Sequence, residues 1–403
     1  MKKNIWYVNP WDALPGEPGF NRSIKFIDTL LNHNTSVIWW QTSFSHATKK
    51  FRNKEQHYKK ENFKLICLPA FSYKSHTGLR RLFSNIFFSL SFITKSFFYK
   101  KPDVIFLSGP IMFVTTYIWF LKRVFGCKIV IELRDLWPEG SINYAEGIKK
   151  KLFKFLSLPL FYSRRKLFQI GDSFIYLNEK FREYAEEIYP EVIDKPKVVS
   201  YPSPFLDFSI IENYNCSYEK KEGEIWGVFS GTLGASHDHE IILRALAQLK
   251  NQKSLKIFFT GNGPNRSTLE KIKTELNLTN VVFTGYLDIK DYLSILKMSD
   301  FALSFYHSHS PVAFPTKIID YILADLPIIM SNSQEAFVFV LRNNSGIALI
   351  NPTIIDVEEA LDKMCQIDVL SKYKSNAINL KEDFLPVKQI SKMVDAVAVV
   401  SSI

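Results

Sequence analysis

Ile225-Trp226-Gly227-Val228-Phe229-Ser230-Gly231-Thr232-Leu233-Gly234 is a short apolar run that breaks on a glycine loop, and Leu255 to Thr260 followed by Gly261-Asn262-Gly263-Pro264 repeats the form. Apolar runs of this length without polar alternation read as parallel strands buried on both faces. Helix-length amphipathic segments follow them, at Glu240 to Asn251 and Arg266 to Leu276. The alternation continues through Val281 to Thr284, a helix at Ile289 to Met298, Phe301 to Phe305 and Pro327 to Ser331. Strand and helix in turn are the sequence form of an open, doubly wound α/β sheet.

Toward the N-terminus the same pattern appears once more. Asn4 to Asn9, Ser36 to Gln41, Phe63 to Leu68, Asp103 to Ser108, Lys128 to Leu133 and Ser173 to Asn178 read as buried strands, with helices such as Arg22 to Asn32 and Met112 to Phe125 between them. Between Tyr201 and Gly223 the periodicity lapses into prolines, asparagines and a charge cluster, which predicts an interdomain linker. The fold class is therefore α/β, with two doubly wound Rossmann-like domains facing a cleft: residues 1–205 and 222–384, at the usual scale of ~100–200 residues per domain. Ligands in such pairs are expected where the carboxyl ends of the strands meet the cleft.

Composition excludes several classes. The 403 residues are 46% hydrophobic, with 16 Gly and 18 Pro, so collagen-like, disordered and low-complexity readings fail. Four separated cysteines show no CxxC and no Cys/His cluster at zinc spacing, which favours a reducing cytoplasm. Residues 2–10 hold too short an apolar run for a signal peptide and read as a strand. Val104 to Leu121 is uncharged, but Ser108-Gly109-Pro110 divides it into a strand and a helix rather than a membrane span. The net charge of +11 is uneven: residues 1–200 carry 32 Lys+Arg against 17 Asp+Glu, whereas residues 201–403 carry 19 against 23. The two halves are built for different partners.

The glycine loops at Gly231 and at Gly261 and Gly263 sit at strand carboxyl ends, where backbone amides can approach a phosphorylated ligand. In Phe314-Pro315-Thr316-Lys317-Ile318-Ile319-Asp320 a proline suits the first helical turn, Lys317 lies in that turn and Asp320 is one turn from Thr316. A cation and helix-terminal amides there can hold a diphosphate, while the carboxylate accepts from ribose hydroxyls. Near the start, Gly16 and Gly19 open the first helix without the full G-x-G-x-x-G spacing, so a plain turn is an equal reading. His237-Asp238-His239 has histidines two apart and reads as a helix start, with Asp238 or Ser236 as N-cap, rather than as a metal site.

Together, Ser230 to Gly234, Gly261 to Pro264, Val281 to Tyr286, Phe314 to Ile329, Thr42 to His46 and Glu132 to Glu139 resemble the GT-B-fold retaining glycosyltransferases of glycosyltransferase family 4, in particular bacterial enzymes that build surface polysaccharides such as O-antigen and capsule. The resemblance covers nearly the whole chain. It implies a second domain that binds a nucleotide diphosphate sugar through Gly231, Thr232, Gly261, Gly263, Arg266, Thr316, Lys317 and Asp320. It also implies a first domain that binds the acceptor, with Gly16, Gly19, His46 and Glu139 on the acceptor side and a C-terminal helix, 385–403, crossing back to it. No metal or other cofactor is expected, and no D-x-D occurs in the chain.

Two departures bear on chemistry. The family often has two glutamates eight positions apart, and here they fall on Val312 and Asp320, so donor-sugar contacts are expected from amides of 311–315 or from His307, Ser308 or His309. The Gly231 loop lacks the Arg or Lys of many relatives, and Arg266 is the expected substitute. Arg134-Asp135 closes an apolar strand, a costly place for charge unless it faces a cleft. The expectation is that Asp135 is the acceptor-side carboxylate and Arg134 its partner, both catalytic together with Lys317; a buried structural ion pair is the alternative.

Lys49 to Lys101 holds 13 basic residues against 2 acidic, and Ile148 to Gln169 holds 7 against none, both interleaved with large apolar residues. That pattern suits an anionic membrane surface, met peripherally on the inner face of the cytoplasmic membrane; a solvated face over a packed core is the plain alternative. The expected partners are a nucleotide sugar donor and a lipid-linked saccharide acceptor, with no nucleic acid, since no aromatic stacking motif accompanies the charge. A nucleotide-sugar 2-epimerase of the same fold, a non-catalytic membrane-associated saccharide-binding partner and a DNA-modifying glycosyltransferase are the rival readings.

Overall fold

The computed structural model describes residues 2–17, 22–52, 60–73, 79–109, 111–136, 139, 142, 147–249, 254–310 and 312–401. They form two compact units, Met1–Pro202 with Val387–Ile403, and Ser203–Pro386.

The first unit is built on seven parallel strands: β1 (Lys3–Val8), β2 (Thr35–Thr42), β3 (Phe63–Leu68), β4 (Val104–Ser108), β5 (Lys128–Leu133), β6 (Ser173–Tyr176) and β7 (Lys197–Val199). Their order is β3-β2-β1-β4-β5-β6-β7, so the winding reverses between β1 and β4, which pair in register from Ile5 with Val104 to Val8 with Leu107. The period of two decides which side chain goes where. Trp6, Val8, Ile105 and Leu107 enter one buried cluster, while Ile5, Tyr7, Val104 and Phe106 enter the cluster on the opposite face. That second face is closed by the helix Arg22–Leu31 and by Ile390, Met393, Val394 and Val397 of the helix Pro386–Ser401. The uncharged run from Val104 divides into β4, a 3-10 turn at Met112–Val114 and a helix at Thr115–Phe125 ended by Gly126 at φ +69°. No described helix is long and apolar enough to cross a membrane.

The second unit holds β8 (Ile225–Ser230), β9 (Leu255–Thr260), β10 (Val281–Gly285), β11 (Phe301–Phe305), β12 (Ile328–Ser331) and β13 (Gly346–Leu349), all parallel, in the order β10-β9-β8-β11-β12-β13. Its reversal falls between β8 and β11. Asp238 caps the helix His239–Gln248, its carboxylate accepting from the Ile241 amide at 3.4 Å.

Two strands and one boundary differ from the sequence reading. β7 and β13 have three and four residues, too short to show periodicity, and form because each completes a sheet edge. The stretch expected to be a linker after Tyr201 belongs to the second unit from Ser203 onward. Polar anchors tie it down: Lys220 pairs with Asp300 at 2.5 Å, and the Tyr214 hydroxyl donates to Asp291 at 3.2 Å.

Candidate functional site

At the carboxyl edge of the second sheet, three loops meet backbone to backbone. The Gly231 amide donates to the Thr260 carbonyl at 2.9 Å, Leu233 to Asn262 at 3.0 Å, and Gly261 to Gly285 at 2.8 Å. Such closeness demands glycine. Gly261 has φ +130°, and a Cβ there would stand 2.0 Å from the Gly231 carbonyl oxygen; one on Gly263 would stand 2.3 Å from that of Leu233. Neither obstacle is a side chain that could swing aside. Gly261→Ala is therefore expected to part the loops after β8 and β9 at a cost of about 1–3 kcal/mol. A thermal melt beside Gly16→Ala, where φ is +83° but the space is open, separates this clash from backbone strain alone. Equal losses in the two variants would contradict it.

The loops enclose a pocket of about 370 Å³. Its floor is Ser230, Gly231, Thr232, Thr260, Gly261 and Gly285, and Tyr286, Ile289, Tyr292 and Lys317 complete the wall. Lys317 stands on the first turn of the helix Thr316–Leu323, where the backbone dipole is positive. Its ammonium donates to Asp320 Oδ2 at 2.7 Å and to the Tyr292 hydroxyl at 3.3 Å, and it lies 4.8 Å from the centre of the Tyr292 ring. The Tyr292 hydroxyl also donates to Asp320 Oδ2, at 2.7 Å. Burial, reinforced by the Asp320 charge, pushes that phenol well above its usual value. A lysine held on two polar partners and still half-exposed is a cation pre-set for an anionic ligand.

The other donor-side residues divide. Asp320 is buried behind Lys317, and the partners of its Oδ2 are Lys317 and Tyr292. Thr316 is exposed at the helix start and lies outside the pocket wall. Arg266 also lies outside it: its Nε bonds Glu270 one turn away at 2.8 Å, and its guanidinium rests against Gly285. Helical spacing, which puts positions i and i+4 on one face, explains that preference. The Val312 and Ala313 carbonyls accept from Ser333 Oγ at 3.1 and 2.9 Å, and His307 Nδ1 lies 3.7 Å from Asp238. Burial pushes His237 down to about 4 and His239 to about 3, so both are neutral packed rings.

The first unit gathers its polar groups at the β1/β4 reversal. Arg134 follows β5, and its Nη1 donates to Asp12 Oδ1 at 2.6 Å. The expected Arg134–Asp135 pairing is thus corrected: Asp135 is exposed, and the hydrogen bonds of the Arg134 guanidinium go to the loop after β1 and the end of β4, at Asp12 and Ser108. Ser23 Oγ donates to the other Asp12 oxygen and contacts the Tyr7 hydroxyl at 2.5 Å. Beneath them Arg22 and Glu132, 3% and 1% exposed, form an ion pair at 2.8 Å. Ser108 Oγ donates to Glu132 Oε2 at 2.5 Å, and Arg22 Nη2 donates to Ser200 Oγ at 2.8 Å. Burial works against charge on Arg134, but Asp12 and Glu132 outweigh it and hold the guanidinium firmly protonated.

Other acceptor-side expectations change. Glu139 is engaged by the Arg164 guanidinium and the Tyr184 hydroxyl, which makes it a clasp on the helix Leu158–Ile170 rather than a group poised for an acceptor. His46 Nδ1 bonds the buried Tyr73 hydroxyl at 2.8 Å. Gly16 occupies a tight turn, closed by Glu17 Oε2 accepting from the Leu14 amide at 2.9 Å. Gly19 lies outside the described residues. Sequence reasoning missed Tyr292, Asp12, Arg22 and Glu132 as a group. Only Glu132 carried a signal, an acid inside an apolar strand.

Both the sequence and the fold resemble those of known proteins. The family model of glycosyl transferases group 1 matches residues 211–380. A chitobiosyldiphosphodolichol beta-mannosyltransferase of Debaryomyces hansenii is 24% identical over 214 residues, 51% of this chain and 42% of that protein; the chain thus matches under half the length of this curated relative. Among solved structures, WaaG, a glycosyltransferase involved in lipopolysaccharide biosynthesis, superposes with TM-score 0.64 at 15% identity over 97% of this chain and 98% of its own. HepE of Anabaena, solved in complex with UDP, gives TM-score 0.64 at 13% identity over 99% and 100%. Residues 211–380 therefore form a glycosyl transferases group 1 domain, in a chain with the two-domain fold of the GT-B glycosyltransferases.

Proposed function

We propose that this protein transfers a sugar, with retention of anomeric configuration, from a nucleoside diphosphate donor to a lipid-linked saccharide at an anionic membrane face, in the synthesis of a bacterial surface polysaccharide. The observation that carries the reading is Lys317 beside the glycine loops after β8 and β9, within the matched domain. The diphosphate lies against the Gly231 and Thr232 backbone, with Lys317 on its oxygens. The bond from the anomeric carbon to the diphosphate oxygen breaks as the acceptor hydroxyl oxygen bonds to that carbon. The hydroxyl proton ends on the departing diphosphate. Charge on this leaving group is met by the ammonium and helix-terminal amides, which do not require a divalent ion.

Support for the acceptor comes from the Debaryomyces relative, whose name places its saccharide on a dolichol diphosphate. On the first unit, Arg134 beside the β1/β4 reversal offers a fixed cation where that sheet would take a ligand. A thermal-shift panel of nucleoside diphosphate sugars, followed by transfer assays to lipid-linked saccharides with and without chelator, tests the proposal. The expected result is stabilisation by one donor class, about 2–4 kcal/mol at a hundred- to a thousandfold excess over Kd, and turnover indifferent to chelator. If no donor stabilises the protein the reading fails, conversion of donor without acceptor would mark an epimerase, and chelator-sensitive turnover would remove the metal-free leaving-group step.

A further inference from the structure

The helix Gly147–Leu156 is unusual in its surroundings. Every described residue in it is exposed, including Ile148 at 85% and Phe155 at 68%. A helix of ten residues is marginal in water on its own, and most such helices persist by burying one face. Here Ile148, Leu152, Phe155 and Leu156 recur at i, i+4, i+7 and i+8 and share a face, while Lys150, Lys151 and Lys154 share the opposite one. Exposed Leu158 and Tyr162, with Lys166 5.6 Å from the Tyr162 ring, extend the pattern into the next helix. No acidic residue occurs from Ile148 to Gln169. In the sequence this helix follows β5 and Arg134, and Glu139 ahead of it forms an ion pair with Arg164 beyond it.

A second exposed aromatic group, Phe97, Phe98, Trp119, Phe120 and Phe125, is less suited to insertion. Phe97 packs on Tyr117, Phe120 on Tyr117 and Phe125, and the Lys101 ammonium lies 4.9 and 5.7 Å from the Phe97 and Phe125 rings. Phe97, Phe120 and Phe125 are thus partly covered by neighbouring rings. They also precede β4 or β5, at the sheet edge opposite Arg134.

We infer that the helix Gly147–Leu156 lies in the headgroup plane of an anionic bilayer, its leucine, isoleucine and phenylalanine side chains among the acyl chains and its lysines on the lipid phosphates. A basic helix with an uncovered apolar side matches that surface in both respects, whereas a second copy of this chain would bring lysine against lysine. The inference deepens the proposed function and rests on it for its purpose, which is to hold the β5 edge, and Arg134 with it, at the surface where a lipid-linked acceptor resides.

The test is flotation of the full chain with vesicles of equimolar phosphatidylglycerol and phosphatidylcholine, or of phosphatidylcholine alone. Wild type is expected to float with the anionic vesicles and about tenfold less with the neutral ones. Leu152→Ser with Phe155→Ser, and separately Lys150→Glu with Lys151→Glu, should each lower flotation about tenfold or more, while Phe98→Ser with Trp119→Ser keeps it. All three pairs change exposed residues, and unchanged melting temperatures confirm that they fold. The inference is overturned if wild type stays in the aqueous phase, if the helix variants float like wild type, if only the Phe98/Trp119 pair loses flotation, or if wild type is a dimer that Leu152→Ser with Phe155→Ser dissolves. Flotation needs no donor. Docking without donor stabilisation would fault the transfer reading alone, and donor stabilisation without docking would fault this inference alone.

Discussion

Lys317→Ala is expected to lower turnover by about 10²–10³ and to weaken donor binding by about tenfold or more. The larger effect falls on turnover because the diphosphate gains charge as the sugar departs, so the ammonium is worth more in the transition state than in the ground state. Alanine also removes a partner from Asp320, which is 4% exposed and whose Oδ2 would keep the Tyr292 hydroxyl. A buried carboxylate facing the donor's phosphates then adds repulsion to the loss of attraction. Single-turnover kinetics with the preferred donor separate the two, because a pure affinity loss disappears at saturating donor. If saturating donor restores the wild-type rate, Lys317 serves binding alone; if both constants are unchanged, it has no place in the site.

The second large effect concerns stability. Glu132→Ala strands the Arg22 guanidinium under the first sheet's carboxyl edge, where the pair is 2.8 Å apart and both members are buried. Removing one member of such a pair costs about 3–5 kcal/mol, whereas replacing both by apolar residues of similar volume is close to neutral. Glu132→Leu combined with Arg22→Met should therefore melt well above Glu132→Ala. The comparison is made on the first unit's own transition, since two units need not unfold together. A single variant that melts like wild type, or a double variant no better than the single, would show that Ser108 and Ser200 carry the network without the ion pair.

What the sequence discloses follows from how local each feature is. Buried parallel strands announce themselves as unbroken apolar runs, and a glycine at the end of one is a local event, so the pocket's floor could be read residue by residue. Lys317 was also visible, because first-turn position is set by Pro315 and Thr316 beside it. Partners were not. Asp12 lies 122 residues from Arg134, and only the sheet order, β1 beside β4 beside β5, brings the two loops together. Tyr292 joins Lys317 and Asp320 from another helix, and a tyrosine in an amphipathic segment gives no sign of which side chain it will meet. Glu139 misled for the same reason, since its Arg164 clasp forms across a helix boundary.

The helix Pro386–Ser401 supplies side chains to the core of a unit whose other residues end at Pro202. Gln389 fixes it there, its carbonyl accepting from Ser200 Oγ at 2.8 Å and its side chain from the Tyr201 amide at 2.8 Å. During ribosomal synthesis residues 1–202 emerge first yet must wait, one face of their sheet covered by the helix Arg22–Leu31 but lacking its C-terminal helix, until 184 intervening residues have been translated. The later-made unit has every piece of itself in hand sooner, so the order of maturation inverts the order of emergence.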